Sequence, residues 1–307
     1  MLKTKSELLK FKRIMIKLSG EALADSYEKQ QKIERMHFLL CELLENSVIE
    51  GEEAFRIYRE YKKLLEFGVN APYVLDVCRS IKNIHDLGVE IGITVGGGNY
   101  WRGRTSSPGM DKVQADHIGM LGTVMNALTI EDAFNQLGVP VRAQTAVPID
   151  KMAEFLIPKK AINHYEKGRI VVFGAGTGRT NSSTDSGAAI NAVETNCNAI
   201  IKLTGNVDGV YTTDPRNNLD ARKYKTINLQ EAISNPEIKV LDDKAMSDVR
   251  NLQIPIVVAS LEPKTNLFKI VTGEEIGTYI GNDVETILYE GEQAKFTYQK
   301  ILALQVN

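Results

Sequence analysis

Short apolar runs rich in β-branched residues recur along the chain, at Arg13 to Lys17, Val89 to Val95, Val139 to Val147, Arg169 to Phe173, Ala199 to Leu203 and Pro255 to Ala259. Runs this short, bounded by turn residues, predict strands covered on both faces. Between them apolar residues return at helical spacing. One such pattern begins near Asp111, passes Met120, Val124 and Leu128, and ends at Leu137, where Gly138 supplies a stop. Others cover Ser186 to Asn196 and Asp243 to Leu252. This alternation predicts an α/β chain: a three-layer α/β/α sandwich around a mostly parallel central sheet.

Two segments break the rhythm. From Ser26 to Glu66 the chain is highly charged, with Ile33, Met36, Leu40 and Leu43 at helical spacing, a break near Gly51, and a second set at Ile57, Tyr61 and Leu64. That pattern predicts a helical hairpin laid against the domain or a partner. The stretch from Gly281 to Asn307 reads as a C-terminal extension, with Phe296, Ile301, Leu302 and Leu304 as its contacts. No internal repeat divides the 307 residues, so a single domain is expected, with these two segments as additions.

Composition narrows the function classes. Hydrophobic residues make up 43% and charged residues 25%, the mix of an ordinary globular protein. A formal net charge of -2 gives no global field that would draw the chain to nucleic acid or to an anionic membrane. A small anionic ligand needs only a local cationic site. Cys41, Cys78 and Cys197 are scattered and odd in number, which argues against a disulfide framework or a zinc site and fits a reducing compartment. The polar N-terminus lacks the apolar core of a signal peptide, and no apolar run approaches a membrane span. A cytoplasmic location is therefore expected.

Chemistry concentrates where predicted strands end, the usual place for ligands in open α/β sheets. The first strand closes in Lys17-Leu18-Ser19-Gly20, which puts a compact cation beside free backbone amides. A surface lysine before a turn would look the same. The second runs into Gly96, Gly97 and Gly98, with Arg102 and Arg104 behind them. Glycines let successive amides face an anion and guanidinium forks match phosphate oxygens, which favours anion binding over a plain tight turn. The spacing matches neither a Walker A loop nor a dinucleotide fingerprint. A third loop, Gly174 to Asp185, carries glycines, hydroxyls and Arg179 into a helix start, again suited to phosphate and ribose. Asp185 there could cap the helix, or orient Lys17 and influence bound Mg²⁺. A fourth loop, Thr204 to Pro215, holds ordinary turn pairs, yet Tyr211 could flank a nucleobase and Asp214 could accept from a nucleotide hydroxyl or amine.

The four histidines, His37, His85, His117 and His164, show no ligand spacing, and no Gly-x-Ser-x-Gly nucleophile motif occurs. Transfer to a phosphate acceptor needs neither, because a nucleoside monophosphate is already largely dianionic near neutral pH.

Three stretches carry a family resemblance: Lys17-Leu-Ser-Gly-Glu-Ala-Leu23, Gly96-Gly-Gly-Asn-Tyr-Trp-Arg102-Gly, and Gly109-Met-Asp-Lys-Val-Gln-Ala-Asp116-His-Ile-Gly-Met-Leu121. With Val207-Asp-Gly-Val-Tyr-Thr-Thr-Asp-Pro215 and Lys239-Val-Leu-Asp242, they resemble the bacterial UMP kinases of the amino acid kinase superfamily. The resemblance implies ATP and UMP as substrates, with Mg²⁺ carried on the phosphates rather than in a protein metal site. It implies Lys17, Arg102 and Asp185 as the catalytic set. Lys17 and Gly20 would line the transferring phosphates, with Leu18 and Ser19 beside them. Gly98 and Arg102 would lie toward ATP, Tyr211 and Asp214 would hold its adenosine with Gly205 and Asn206 alongside, and Asp242 would sit near. Gly97 would meet the UMP phosphate and Asp116 the UMP ribose. Thr177, Gly178, Arg179, Thr180, Asn181, Ser182, Ser183 and Thr184 would form the UMP loop. The acceptor-binding half would cover about 11–183 and the ATP-binding half about 184–280. A homohexamer is the family's assembly.

The chain departs from that pattern in three places. Where the family has Thr-Gly-Asn-Pro and two aromatics, this chain has Thr177-Gly178-Arg179-Thr180-Asn181-Ser182, which bears on the choice of acceptor. A different nucleoside monophosphate acceptor, or a nucleotide sensor without turnover, are the competing readings. The extension after Gly277-Thr278 is additional. The insertion from Ser26 to Glu66 interrupts the loop associated with GTP activation in the family. Weak or absent stimulation by GTP is expected; a several-fold rise in steady-state rate on adding GTP contradicts this.

Overall fold

The structure, a computed structural model, describes residues 9–291 apart from 25–26, 66, 103–108, 206, 216–217, 219, 236–237, 239 and 241–253. Arg104, Asn206, Asp242, the helix expected over 243–252, the outer limits of the hairpin and the tail contacts from Phe296 onward lie outside the described residues.

Among the described residues ten strands form one sheet: β1 (Arg13–Leu18), β2 (Glu90–Val95), β3 (Val141–Thr145), β4 (Glu154–Phe155), β5 (Ile170–Gly174), β6 (Ala199–Thr204), β7 (Tyr224–Asn228), β8 (Ile256–Ser260), β9 (Thr278–Gly281) and β10 (Ile287–Leu288). Their order across the sheet is β10-β7-β9-β8-β6-β1-β2-β5-β3-β4. Neighbours run parallel except β8 with β9 and β10 with β7. The described helices are α1 (Gly20–Ala24), α2 (Tyr27–Glu45), α3 (Gly51–Leu65), α4 (Ala71–His85), α5 (Lys112–Gln136), α6 (Pro158–Glu166), α7 (Thr184–Glu194), α8 (Leu229–Ser234) and α9 (Thr265–Val271). None is long and apolar enough to cross a membrane.

The period-two geometry of a strand divides the apolar runs between two cores. Ile14, Ile16 and Leu18 of β1, with Ile91, Ile93 and Val95 of β2, face α1, α4, α5 and α9. Met15, Val171, Phe173, Ile200 and Val258 face α6, α7 and α8. Both faces are dry, which is why these strands read as continuous rather than alternating runs. Local signals set the helix limits. The Asp111 side chain accepts from the Gln114 amide 3.0 Å away at the start of α5, and Gly138 takes φ +68 just past its end. Cys78 and Cys197 are buried, and burial pushes both thiols up to about 12, so they behave as small apolar side chains.

Two sequence expectations change. The strands β4, β7, β9 and β10 are short or mixed in polarity and escape a search for apolar runs. The extension after Gly281 starts inside the sheet, because β10 pairs with β7 at the edge and the Thr226 hydroxyl donates to Glu285 O at 2.7 Å. The segment α2–α3 forms a hairpin in which the His37 and Tyr58 rings meet edge to face at 5.7 Å. Leu40 and Ala54 are buried there, while Phe38 and Phe55 are exposed.

Phe134 on α5 is fully buried against the sheet. Phe134→Ala should lower the unfolding free energy by about 3–5 kcal/mol. Denaturant titration checks this, and a loss below about 1 kcal/mol contradicts the packing described.

Candidate active site

The register of β1 and β6 sets Lys17 opposite Lys202. Alternation puts both side chains on the face covered by α7, where their neighbours Met15 and Ile200 are core residues. An ammonium at the end of a buried strand needs a partner, and α7 supplies it. Ser183, not Asp185, caps that helix: its hydroxyl accepts from the amides of Asp185 and Ser186, both at 3.1 Å. The capping role considered for Asp185 therefore falls to its neighbour, and the Asp185 carboxylate turns toward the sheet. Lys17 Nζ lies 2.9 Å from Oδ1 and Lys202 Nζ 2.9 Å from Oδ2. Lys202 also donates to Val240 O at 2.7 Å. Burial works to raise the Asp185 pKa, but the two ammonium charges outweigh it and hold the carboxyl below its ordinary value.

The glycine turn sits against this cluster. The Gly96 amide donates to Leu18 O at 2.9 Å, continuing the β1–β2 ladder. A Cβ on Gly20 would stand 2.5 Å from Asn99 Oδ1 and 2.7 Å from both Gly96 O and Gly98 N, so only glycine lets the two strand ends approach this closely. A Cβ on Gly96 would lie 3.5 Å from Thr184 Oγ1, which brings the start of α7 to the same corner. Asn126 on α5 locks the turn, donating to Gly96 O at 2.6 Å and pairing with the Asn99 amide. Gly97 lies so close to α5 that a Cβ would meet Gly119 O at 2.7 Å. Arg102 curls back, its Nε 3.2 Å from Gly98 O and 3.3 Å from Glu21 Oε1. Ser19 holds α1 through the Ala22 amide at 3.3 Å.

The loop between β5 and α7 closes the other side. Asp116 Oδ2 accepts from the Asn181 amide at 2.7 Å, and Ala175 donates to Thr123 Oγ1 at 2.7 Å, so α5 carries the loop. Gly178 at φ +69 and Asn181 at φ +55 supply its left-handed turns. A cleft of about 170 Å³ lies between them, lined by Gly97, Gly98, Trp101, Asp116, Thr177, Arg179, Ser182, Ser183 and Thr184 among others. Gly178, Thr180 and Asn181 shape the loop from outside the lining.

Gly205, Tyr211 and Asp214 follow β6 and do not line the cleft. Tyr211 is buried and its hydroxyl donates to Asp208 Oδ1 at 2.6 Å. Burial, and then the Asp208 carboxylate, raise its pKa. Its ring packs with Ala221 and Val207. Asp214 is exposed.

A model of the amino acid kinase family matches residues 12–260. The chain belongs to the amino acid kinase family. Within it, similarity runs to proteins named uridylate kinase. One from Limosilactobacillus reuteri is 41% identical over 90% of this chain and 99% of its own length. The crystal structure of UMP kinase from Bacillus anthracis superposes with a TM-score of 0.75 at 31% identity, covering 91% of this chain and 99% of that one. UMP kinase from Ureaplasma parvum gives 0.70 at 26% identity, covering 88% and 98%.

Sequence reasoning misses Lys202, Glu21, Asn99 and Asn126. Lys202 leaves one signal, a lysine within an otherwise apolar strand run; the others become visible only when β1, β2 and α5 are docked.

The lowered Asp185 pKa has a pH consequence. Its stabilising contribution is complete above the ordinary carboxylate value of about 4 and is lost as pH falls through the lower folded value. Wild type should therefore exceed Asp185→Asn in stability by a constant margin near neutrality, and the margin should shrink below about pH 4. Chemical denaturation across pH measures it; a margin that grows on acidification contradicts the ion-pair geometry.

Proposed function

We propose that this chain is a uridylate kinase, transferring the γ-phosphoryl group of ATP to UMP to give ADP and UDP. The observation that carries the reading is the Lys17–Asp185–Lys202 cluster, whose chain neighbours Leu18 and Thr184 lie against Gly96 of the glycine turn. In the transfer, an oxygen of the UMP phosphate bonds to the γ-phosphorus and the bond from that phosphorus to the β,γ-bridging oxygen breaks, its electrons leaving with ADP. The acceptor is already anionic and needs no base, so alignment and charge neutralisation carry the rate. Lys17 supplies positive charge there, glycine amides face the phosphates, and Arg102 lies on the ATP side. Asp185 holds Lys17 in place. The cleft between α5 and the β5–α7 loop takes UMP, with Asp116 toward the ribose, and the loop after β6 takes the adenosine.

Both Asp185 oxygens already face ammonium groups, a donor set that fits Mg²⁺ held by triphosphate oxygens better than by protein carboxylates. When bound, Mg²⁺ would neutralise charge on the phosphates that hold it, with Asp185 acting on the site through Lys17. The resemblance further supports a homohexamer, residues 11–183 as the acceptor half and 184–280 as the ATP half. Arg179, exposed at the cleft in place of the family's asparagine, makes the acceptor the point most open to variation.

Assaying ATP with UMP, CMP, dUMP and acetylglutamate side by side tests the assignment. UMP should turn over fastest, and Asp185→Ala, although less stable than wild type, should remain folded at assay temperature while losing at least about 100-fold in kcat. Absence of UMP-dependent ADP release, or near-normal turnover by that variant, refutes it.

A further inference from the structure

The extension beyond Gly281 reaches back to the loop after β6. Residues 210–212 of that loop pair with 222–224: Tyr224 N donates to Val210 O at 2.9 Å and Thr212 N to Arg222 O at 3.0 Å. On the inner side of this pair sits Lys223, almost fully buried. Its ammonium holds Asp208 Oδ2 at 2.9 Å, and Asp208 Oδ1 in turn accepts from Tyr211. A buried ammonium with one carboxylate partner gains from a second contact, and Tyr289 provides it, the ring centroid standing 5.1 Å from Lys223 Nζ.

Tyr289 is well anchored in that position. Its amide donates to Lys223 O at 2.9 Å, extending the β10–β7 pairing, and its hydroxyl donates to Gly277 O at 3.1 Å. A second tether comes from the start of β9. The Thr278 hydroxyl accepts from Val210 N at 2.9 Å and donates to Tyr224 O at 2.5 Å. Between the two tethers the loop has no slack: a Cβ on Gly209 would stand 2.7 Å from Lys223 Cε and 2.8 Å from Thr278 Oγ1.

We infer that the C-terminal extension is a strap that sets the nucleotide loop, with Tyr289 as a positioning residue acting through Lys223 and Asp208 on Tyr211. The strap rests on the reading that this loop takes the adenosine of ATP. It acts on the donor nucleotide only, because the acceptor cleft is built from α5 and the β5–α7 loop, on the other side of β1.

Tyr289→Leu removes the ring face and the hydroxyl while sparing the backbone pairing. In the full-length chain it should raise KM for ATP by about fivefold or more, the scale of a desolvated cation–π contact. KM for UMP and kcat should stay within about twofold. Tyr289→Phe keeps the ring over the ammonium and should restore most of the ATP affinity. Lys223→Met leaves Tyr289 in place and should show the same selective loss, which decides the matter if the leucine variant does not fold. Calorimetric titration with MgATP reads the same effect without turnover. Wild type that binds ATP but does not phosphorylate UMP sinks the function while the ATP Kd of the variants still judges the strap. An unchanged ATP Kd in both folded variants, or equal losses for the two substrates, overturns the strap, as does a wild type that binds no ATP.

Discussion

A single carboxylate holds the centre of this molecule together. Asp185 rides on the first turn of α7 and faces two ammonium groups from adjacent parallel strands, one on β1 and one on β6. Neither lysine could end a strand at the edge of a dry core without such a partner, and the carboxylate could not be this buried without them. Withdrawing any one charge leaves the others uncompensated, so the three groups fix the relative placement of α7, β1 and β6. On the function proposed, the same three groups form the positive corner that handles the phosphoryl group.

Close backbone approach is the second constraint. With β1 and β2 held in register, Gly20 and the Gly96–Gly98 turn meet within a distance that excludes any side chain. A carbonyl brought this near needs a donor, and Asn126, its side chain paired with that of Asn99, donates to Gly96 O. Asn126 sits on α5, the helix that also carries Asp116 and Thr123 to the β5–α7 loop. One helix therefore positions both walls of the cleft. The loop after β6 is held differently, by a salt bridge, a buried hydroxyl and a cation–π contact contributed from β7, β9 and the C-terminal extension.

Much of this was legible in order along the chain. Buried parallel strands announce themselves as unbroken apolar runs, so β1, β2, β3, β5, β6 and β8 were visible, and the Asp111 cap and Gly138 stop bracketed α5. Glycines, hydroxyls and cations at strand ends marked the loops. Short strands of mixed polarity such as β7 and β10 were not visible, since they leave no distinctive apolar run. The role of Asp185 stayed open between cap and functional group, because Ser183 and Asp185 are both good caps and only the docked carboxylate shows which one is otherwise engaged.

By itself the sequence determined the α/β class, the family resemblance and the identity of Lys17, Arg102 and Asp185 as residues worth watching, because local periodicity and short motifs are properties of neighbours in the chain. Tertiary structure decided the pairings. That Lys202 shares Asp185 with Lys17, that Glu21 engages Arg102, and that Tyr289 reaches Lys223 depend on strand register and on which faces are brought together. Those are distances between residues far apart in sequence, and no local pattern encodes them.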